Sequence, residues 1–373
     1  MQADVLRTGQ HVMTVCNACR YCEQYCPVFP AMERRRVFTE ADLNYLANLC
    51  HNCGECLYAC QYAPPHEFGI NVPRTLATIR LESYEQYCWP GSLAAAFRNH
   101  GIVTALALVV GFVAVMRLSA GSFWQDDGSG NFYAVIPHKV MVVLFGGVSI
   151  FVLTAFGVGL RRFWRGQTPT HGSTQGIESS RRGGSDHVSR RVSWGLTPLR
   201  DALTLRHLHA SGPDCTSGEE TRSPWRRWMH HCTFYGFMLC FASTTVAAIY
   251  HLFGSPAPYA YTSLPVILGT AGGVALLVGP AGLFALRARR DPALGDPAQA
   301  GMDVSFLVLL FLTSLTGLAL LVLRHQPVMP PLLIVHLGAV LALFMTLPYG
   351  KFVHGLYRTA ALIKFASEEQ NDR

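Results

Sequence analysis

The chain has 373 residues, half of them hydrophobic and only 14% Asp, Glu, Lys or Arg, with a formal net charge of +7. Soluble domains carry a much larger charged fraction, so this composition excludes an ordinary soluble protein and points to a membrane-spanning one. The positive charge is no nucleic-acid signal, because the basic residues lie between apolar segments.

Residues 1–90 are polar enough for a soluble domain, and 1–15 lack the apolar stretch of a cleavable signal peptide. Cys16, Cys19, Cys22 and Cys26 follow C-x2-C-x2-C-x3-C, closed by Pro27. Cys50, Cys53, Cys56 and Cys60 repeat that spacing, with Gln61 in the proline position. Each run puts three thiolates in one short turn and a fourth just beyond reach. That is the ligand pattern of a cubane [4Fe–4S] cluster, in which the fourth cysteine of each run serves the other run's cluster. Cys16, Cys19, Cys22 and Cys60 are therefore expected to hold one cluster, and Cys50, Cys53, Cys56 and Cys26 the other. Structural zinc sites use separated C-x2-C pairs, and disulfides need an oxidising compartment, so both fit less well. Cys88, Cys215, Cys232 and Cys240 have no ligand spacing and read as ordinary small residues.

Between the runs, Thr39-Glu40-Ala41-Asp42 reads as a capping box opening a helix through Leu43, Leu46 and Leu49. A helical two-cluster ferredoxin domain is expected rather than a strand-built one. Residues 73–85 read as a helix leading to the membrane. Arg34-Arg35-Arg36 forms a basic edge, either solvated or docking an acidic partner surface.

From Gly101 onward six segments are apolar and long enough to span a bilayer, roughly 101–118, 137–160, 231–253, 264–286, 303–323 and 331–350. Between the second and third, 166–195 is rich in Gly, Ser, Thr and Arg without hydrophobic periodicity, and is expected to be disordered. Residues 199–209 read as a short interfacial helix. Of the 30 Lys and Arg residues, only Arg117, Lys139 and Arg324 fall on the side away from the N-terminal domain. The positive-inside rule then puts the cysteine runs, the long loop and both termini in the cytoplasm. The fold class is all-α: a ferredoxin-like domain at 1–90, then a six-helix transmembrane bundle. The bundle divides into helices 1–2 at 91–160, a polar loop at 161–229, helices 3–6 at 230–358 and a tail at 359–373.

Ionisable residues inside or at the ends of spanning helices are functional candidates. His336 and His354 bracket the sixth segment; eighteen residues make about five turns, roughly 27 Å, which sets both on one face. The third segment carries His230, His231 and His251. At about 100° per residue, His230 lies about 60° from His251 in phase and His231 about 160°, which favours His230. With these two helices antiparallel, His230 is level with His354 and His251 with His336. Two bis-imidazole b-type haems require such a pattern. His138 reads as interfacial, and His100, His207, His209 and His325 as surface residues. No G-x-G-x-x-G, P-loop or nucleophile motif is present, so the chain is expected to pass electrons without an organic-substrate site of its own.

Several strings carry a family resemblance: Cys16-Asn17-Ala18-Cys19-Arg20-Tyr21-Cys22, Phe29-Pro30-Ala31-Met32-Glu33-Arg34-Arg35-Arg36, 43–60, and Tyr62-Ala63-Pro64-Pro65-His66-Glu67-Phe68. Asp201-Ala202-Leu203-Thr204-Leu205-Arg206, 230–237, Gly279-Pro280-Ala281-Gly282, and Pro348-Tyr349-Gly350-Lys351-Phe352-Val353-His354-Gly355 extend it along the chain. Together they resemble the tricarballylate utilisation protein B (CitB) family. The last helix pair is also similar to the cytochrome b subunit of respiratory nitrate reductases, where two histidines of the last helix bind two haems; His336 and His354 occupy the matching pattern. The resemblance implies a multi-pass protein of the bacterial inner membrane with two [4Fe–4S] clusters and one or two b haems. It would reoxidise a separate FAD-dependent tricarballylate dehydrogenase and pass the electrons to membrane quinone. A related domain fused to a flavoprotein in cobalamin biosynthesis leaves open the same relay serving another flavoprotein. A third reading, from another class, is a membrane sensor whose cysteines bind zinc or a labile cluster; histidines at matched heights would have no use there.

Overall fold

The computed structural model describes residues 1–120, 130–167, 197–208, 224–255 and 257–371, and the regular structure among them is entirely helical. The disorder expected for 166–195 falls, from 168 on, outside the described residues, as do His209 and Cys215.

Five helices build the first domain: α1 (Ala3–Cys19), α2 (Val28–Glu33), α3 (Glu40–Leu49), α4 (Glu55–Tyr58) and α5 (Val72–Tyr87). The capping box at the start of α3 is present. Thr39 Oγ1 accepts from the Asp42 N–H at 3.2 Å, and the Asp42 carboxylate accepts from the Thr39 N–H at 3.1 Å. Two orphan N–H groups are thereby satisfied at once. Leu43, Leu46 and Leu49 are fully buried among Met13, Met32, Leu76 and Ile79. Gly9 lets α1 close onto α3 and α5, since a Cβ there would meet Leu43 and Ile79 at 2.9 Å. The start of α5 is set by Asn71, whose side chain accepts from the Arg74 N–H, and by Pro73 in the first turn.

Six helices are long and apolar enough to cross a membrane, in the places expected from the sequence. They are the His100–Ser119 part of α6 (Gly91–Ser119), α8 (His138–Gly166), α10 (Trp225–Leu252), α11 (Leu264–Ala288), α12 (Ala300–Val322) and α13 (Met329–Thr346). The short α7 (Phe132–Val135) precedes α8, and α9 (197–203) precedes a 3-10 turn at Arg206–Leu208, where an interfacial helix was expected. Val110, Leu118, Val143, Ile150 and Leu153 are each more than half exposed. Such an apolar outer surface requires lipid or another cover. Within the bundle α10 packs on α11, α12 on both α11 and α13, and α13 on α6. Small residues permit these approaches: a Cβ on Gly272 would meet the Cys240 backbone N at 2.8 Å, and one on Gly338 would meet Val113.

The sixth segment differs from the expectation in one respect. Helix α13 ends at Thr346, and α14 (Val353–Asn371) begins after a turn. His336 and His354 therefore stand on two helices, and the five-turn phase argument does not apply to them. Pro348 carries no N–H for the ladder, and the Tyr349 and Gly350 N–H groups both turn back to the Thr346 carbonyl, at 3.1 and 2.8 Å. The stretch read as a tail continues α14, which returns to the first domain. There the Arg35 guanidinium pairs with Asp42 and with Glu368, both at 2.7 Å, and lies over the Tyr45 ring at 4.7 Å. The Arg34 guanidinium lies 5.4 Å from the Phe365 ring centroid. The basic edge is thus engaged with the chain's own last helix.

Candidate functional site

The two cysteine runs fold around two adjacent cavities. Cys16, Cys19, Cys22 and Cys60 line one of about 410 Å³, and Cys26, Cys50, Cys53 and Cys56 line another of about 400 Å³, with Cys56 at the wall of both and both volumes including open solvent. The first set sits where α1 ends, with Arg20 in the left-handed region (φ 55°) turning the chain out of the helix after Cys19. Gly54 (φ 92°) makes the corresponding turn in the second run. The fourth cysteine of each run crosses to the other run's cavity. Among the described residues no three His, Cys, Asp or Glu groups close on a point as a single-ion site requires; the thiols instead ring a larger space.

Electrostatics groups the thiols in the same way. Burial, then Cys60, Cys22 and Cys19, push the Cys16 thiol up to about 12. Burial, then Cys60 and Cys19, do the same to Cys22. Cys26 is raised by burial and then by Cys53 and Cys50, and Cys56 by burial and then by Cys53, Cys50 and Cys26. Thiolates crowded in this way repel one another, and a bound cationic core relieves that repulsion. The cavities and their donor set thus fit iron–sulfur clusters.

Arginines from four parts of the chain fasten residues 47–52. Arg358 on α14 donates to the Cys50 carbonyl at 2.8 Å. Arg226 on α10 donates to the His51 and Asn52 carbonyls at 3.4 and 3.0 Å. Arg290, just after α11, donates to the same Asn52 carbonyl at 2.8 Å. Arg80 on α5 donates to Ala47 at 2.8 Å. Burial, then the charge of Arg226, lowers Arg290 to about 10. His51 is buried beneath this group, and its ring meets the edge of His207 at 5.8 Å.

One turn from two of these arginines lie two of the expected histidines. His230, four residues after Arg226, and His354, four before Arg358, face each other with ring centroids 5.8 Å apart and planes at 78°. A metal ion shared by two imidazoles through bonds of about 2 Å sets their centroids about 6 Å apart. His354 Nδ1 is hydrogen-bonded to the Lys351 carbonyl. A carbonyl only accepts, so Nδ1 carries the proton and Nε2 is left with its lone pair, the orientation a ligating histidine needs. His230 Nδ1 is buried without a partner among the described residues. The pair fits a b-type haem, whose iron His230 and His354 would hold. His231 instead stacks on Tyr235 at 5.5 Å and accepts from Arg227 at 3.3 Å.

The other two histidines have different neighbours. His251 stacks on His138 at 4.2 Å, with Tyr133 at 4.9 Å. That spacing is too short for an iron between the rings. His336 lies against Gly317, and its Nδ1 is 3.0 Å from Thr316 Oγ1, which itself donates to Leu312. His138 and His207, read as interfacial and surface residues, belong to these groups, as do the four arginines, which sequence reasoning passed over. A signal for two of them is in the sequence: Arg226/His230 and His354/Arg358 repeat the spacing that places residues on one helix face.

Comparison with known proteins gives two family matches and one close relative. Residues 9–86 match the citrate utilization protein B Fer4-like domain, and 96–373 match citrate utilization protein B. The chain is 46% identical to citrate utilization protein B of Escherichia coli over 369 residues, 98% of this chain and 93% of the relative. No solved structure matches. Two family models joined end to end, and one relative matched along nearly its full length, leave one assignment: the chain belongs to the citrate utilization protein B family.

Proposed function

We propose that this protein is a membrane electron relay that reoxidises a partner FAD-dependent dehydrogenase of citrate or tricarballylate utilisation and delivers the electrons to membrane quinone. The observation that carries this reading is a continuous arrangement of side chains. One thiol cage opens beside the exposed Tyr21, the second lies against it, and arginines fasten the second to the helix ends that bear His230 and His354. Bound [4Fe–4S] clusters and b haem supply one-electron steps. Cys16, Cys19, Cys22 and Cys60 would hold the first cluster, Cys50, Cys53, Cys56 and Cys26 the second, and His230 with His354 the haem. Arg226, Arg290 and Arg358 fix the second cage over the histidines, and Lys351 fixes the tautomer of His354. His336 and the His251–His138 pair are the positions for a quinone contact on the far side. The first domain, with both ends of the described chain, would lie in the cytoplasm, a placement that the distribution of Lys and Arg supports.

The test is a combined optical and EPR redox titration of protein purified without oxygen, with iron, sulfide and haem counted on the same sample. The expected result is about eight iron atoms per chain, as two [4Fe–4S] clusters require, and a low-spin haem spectrum. Stoichiometric zinc in place of iron, or no haem, would overturn the reading.

A further inference from the structure

The two runs share a spacing but not a backbone. Cys16 and Cys19 lie in the last turn of α1, so the N–H of Ala18 belongs to the helical ladder. Residues 50–53 form no helix, and there the corresponding N–H, that of Asn52, donates to Cys50 Sγ at 3.3 Å in a buried position. Asn52 reaches this geometry through the left-handed region, with φ 52°. Side chains are uncommon there, and asparagine is among the few that tolerate it.

The rest of Asn52 holds the turn in place. Its carbonyl accepts from Arg226 at 3.0 Å and from Arg290 at 2.8 Å. With the amide oriented to satisfy both of its ends, the side chain donates to the Leu294 and Pro73 carbonyls at 2.9 and 3.3 Å and accepts from Arg290 at 3.3 Å. The residue is 7% exposed, so water does not compete for these bonds. Asn52 thus directs its carbonyl and side chain outward to other parts of the chain, and its N–H inward to a thiol of the second cage. In the first cage the Cys19 sulfur faces the Gln61 amide at 4.0 Å, a longer contact in an exposed position.

We propose that Asn52 is a positioning residue for the second cluster: its left-handed turn aims an N–H at Cys50 Sγ and raises the reduction potential of the cluster of Cys26, Cys50, Cys53 and Cys56. This rests on the relay reading above. Reduction adds one electron to a cluster and concentrates negative charge on its sulfurs, and a hydrogen bond to a ligand sulfur favours that state. A buried bond does so more than one that competes with water. Raising the potential of the second cluster favours passage of an electron from the first. In that step the first cluster loses one electron and the second gains it; no bond forms and no proton moves.

The experiment is an EPR-monitored redox titration of the full chain, purified without oxygen, comparing wild type with Asn52→Ala and Asn52→Gly. Both variants lose the side chain and its bonds to Leu294 and Pro73. Only glycine keeps the left-handed turn at no steric cost, so the pair separates the turn from the side chain. Cys16→Ser, which alters a ligand of the first cluster, tells the two signals apart. In Asn52→Ala the reduced-to-oxidised ratio of the second cluster should fall about tenfold at fixed potential, a shift of about 59 mV for one electron. Asn52→Gly should keep the wild-type ratio, and the first cluster should move in neither. Asn52→Ser, also disfavoured at positive φ, stands in if Asn52→Ala does not fold. No shift, an equal shift in the alanine and glycine variants, or a shift of the first cluster overturns the inference. If the clusters and haem are present and only the difference between alanine and glycine is missing, this inference fails and the relay stands; if the wild type holds no clusters, both fail.

Discussion

The first cysteine run closes its carbonyls on its own turn and leaves Tyr21 66% exposed, whereas the second hands its carbonyls to arginines from three other parts of the chain. Both runs have the same spacing, and each donates its fourth cysteine to the other's cavity. Spacing therefore specifies the set of thiols, and the groups around each set make the two cages different. One cage lies beside an exposed tyrosine, and the other is fastened to the ends of the apolar helices.

The strongest way to break that comparison is to remove one thiol from each cage. Cys53→Ala should lose its own cluster, weaken the other through Cys26, and strip haem as well, because the loop it sits on rests on α10 and α14. Cys19→Ala should lose its cluster and weaken the second while leaving haem in place. Iron, sulfide and haem assays after anaerobic purification decide this; equal haem in the two variants would mean that the runs are interchangeable.

The next largest effect concerns the histidines. His230→Ala and His354→Ala should each remove at least nine-tenths of the low-spin haem absorbance, roughly the tenfold expected when a ligand is lost. His231→Ala should keep it, since that ring is taken by Tyr235 and Arg227. Haem loss in His231→Ala with retention in His230→Ala would reverse the assignment.

Arg35→Ala probes how the first domain is tied to α14. The guanidinium is 10% exposed and serves two carboxylates, which its removal leaves to Thr39 on one side and to Lys364 and Tyr45 on the other, so it should cost about 3 kcal/mol, the low end for breaking a buried pair. Denaturant titration, with protease sensitivity of α14 as a second readout, measures it. The smallest effect is that of Thr39→Ala, which removes the capping box of α3 and should cost about 1 kcal/mol in the same titration. Because α3 stands between the runs, both clusters should become labile to the same degree; selective loss of one would show that α3 supports a single cage.

The sequence made legible what depends on local spacing. The cysteine pattern, the capping box at Thr39 and the six apolar segments each follow from residues within a turn or two of one another. The turn after Thr346 was harder to see, because the apolar run continues through Leu347 and hides the break that Pro348 and Gly350 impose. Phase arithmetic on His336 and His354 assumed an unbroken helix. His230 was separable from His231 because α10 is continuous. His138 and the arginines were not legible, since their roles come from contacts between helices far apart in sequence: α8 with α10 at one end of the bundle, and four separate elements around residues 47–52 at the other.

Helix α14 also imposes an order in time. Arg35 and Glu368 are separated by 333 residues, and Cys50 and Arg358 by 308, yet each pair is in direct contact. A ribosome extends the chain by about 5–20 residues each second. The cysteine domain therefore emerges well before the helix that clasps it, and must wait while the six long apolar helices are made. During that interval its thiols lack the cover of α14 and of Arg358, which α14 carries. Synthesis of α14 then closes that interval and clasps the domain.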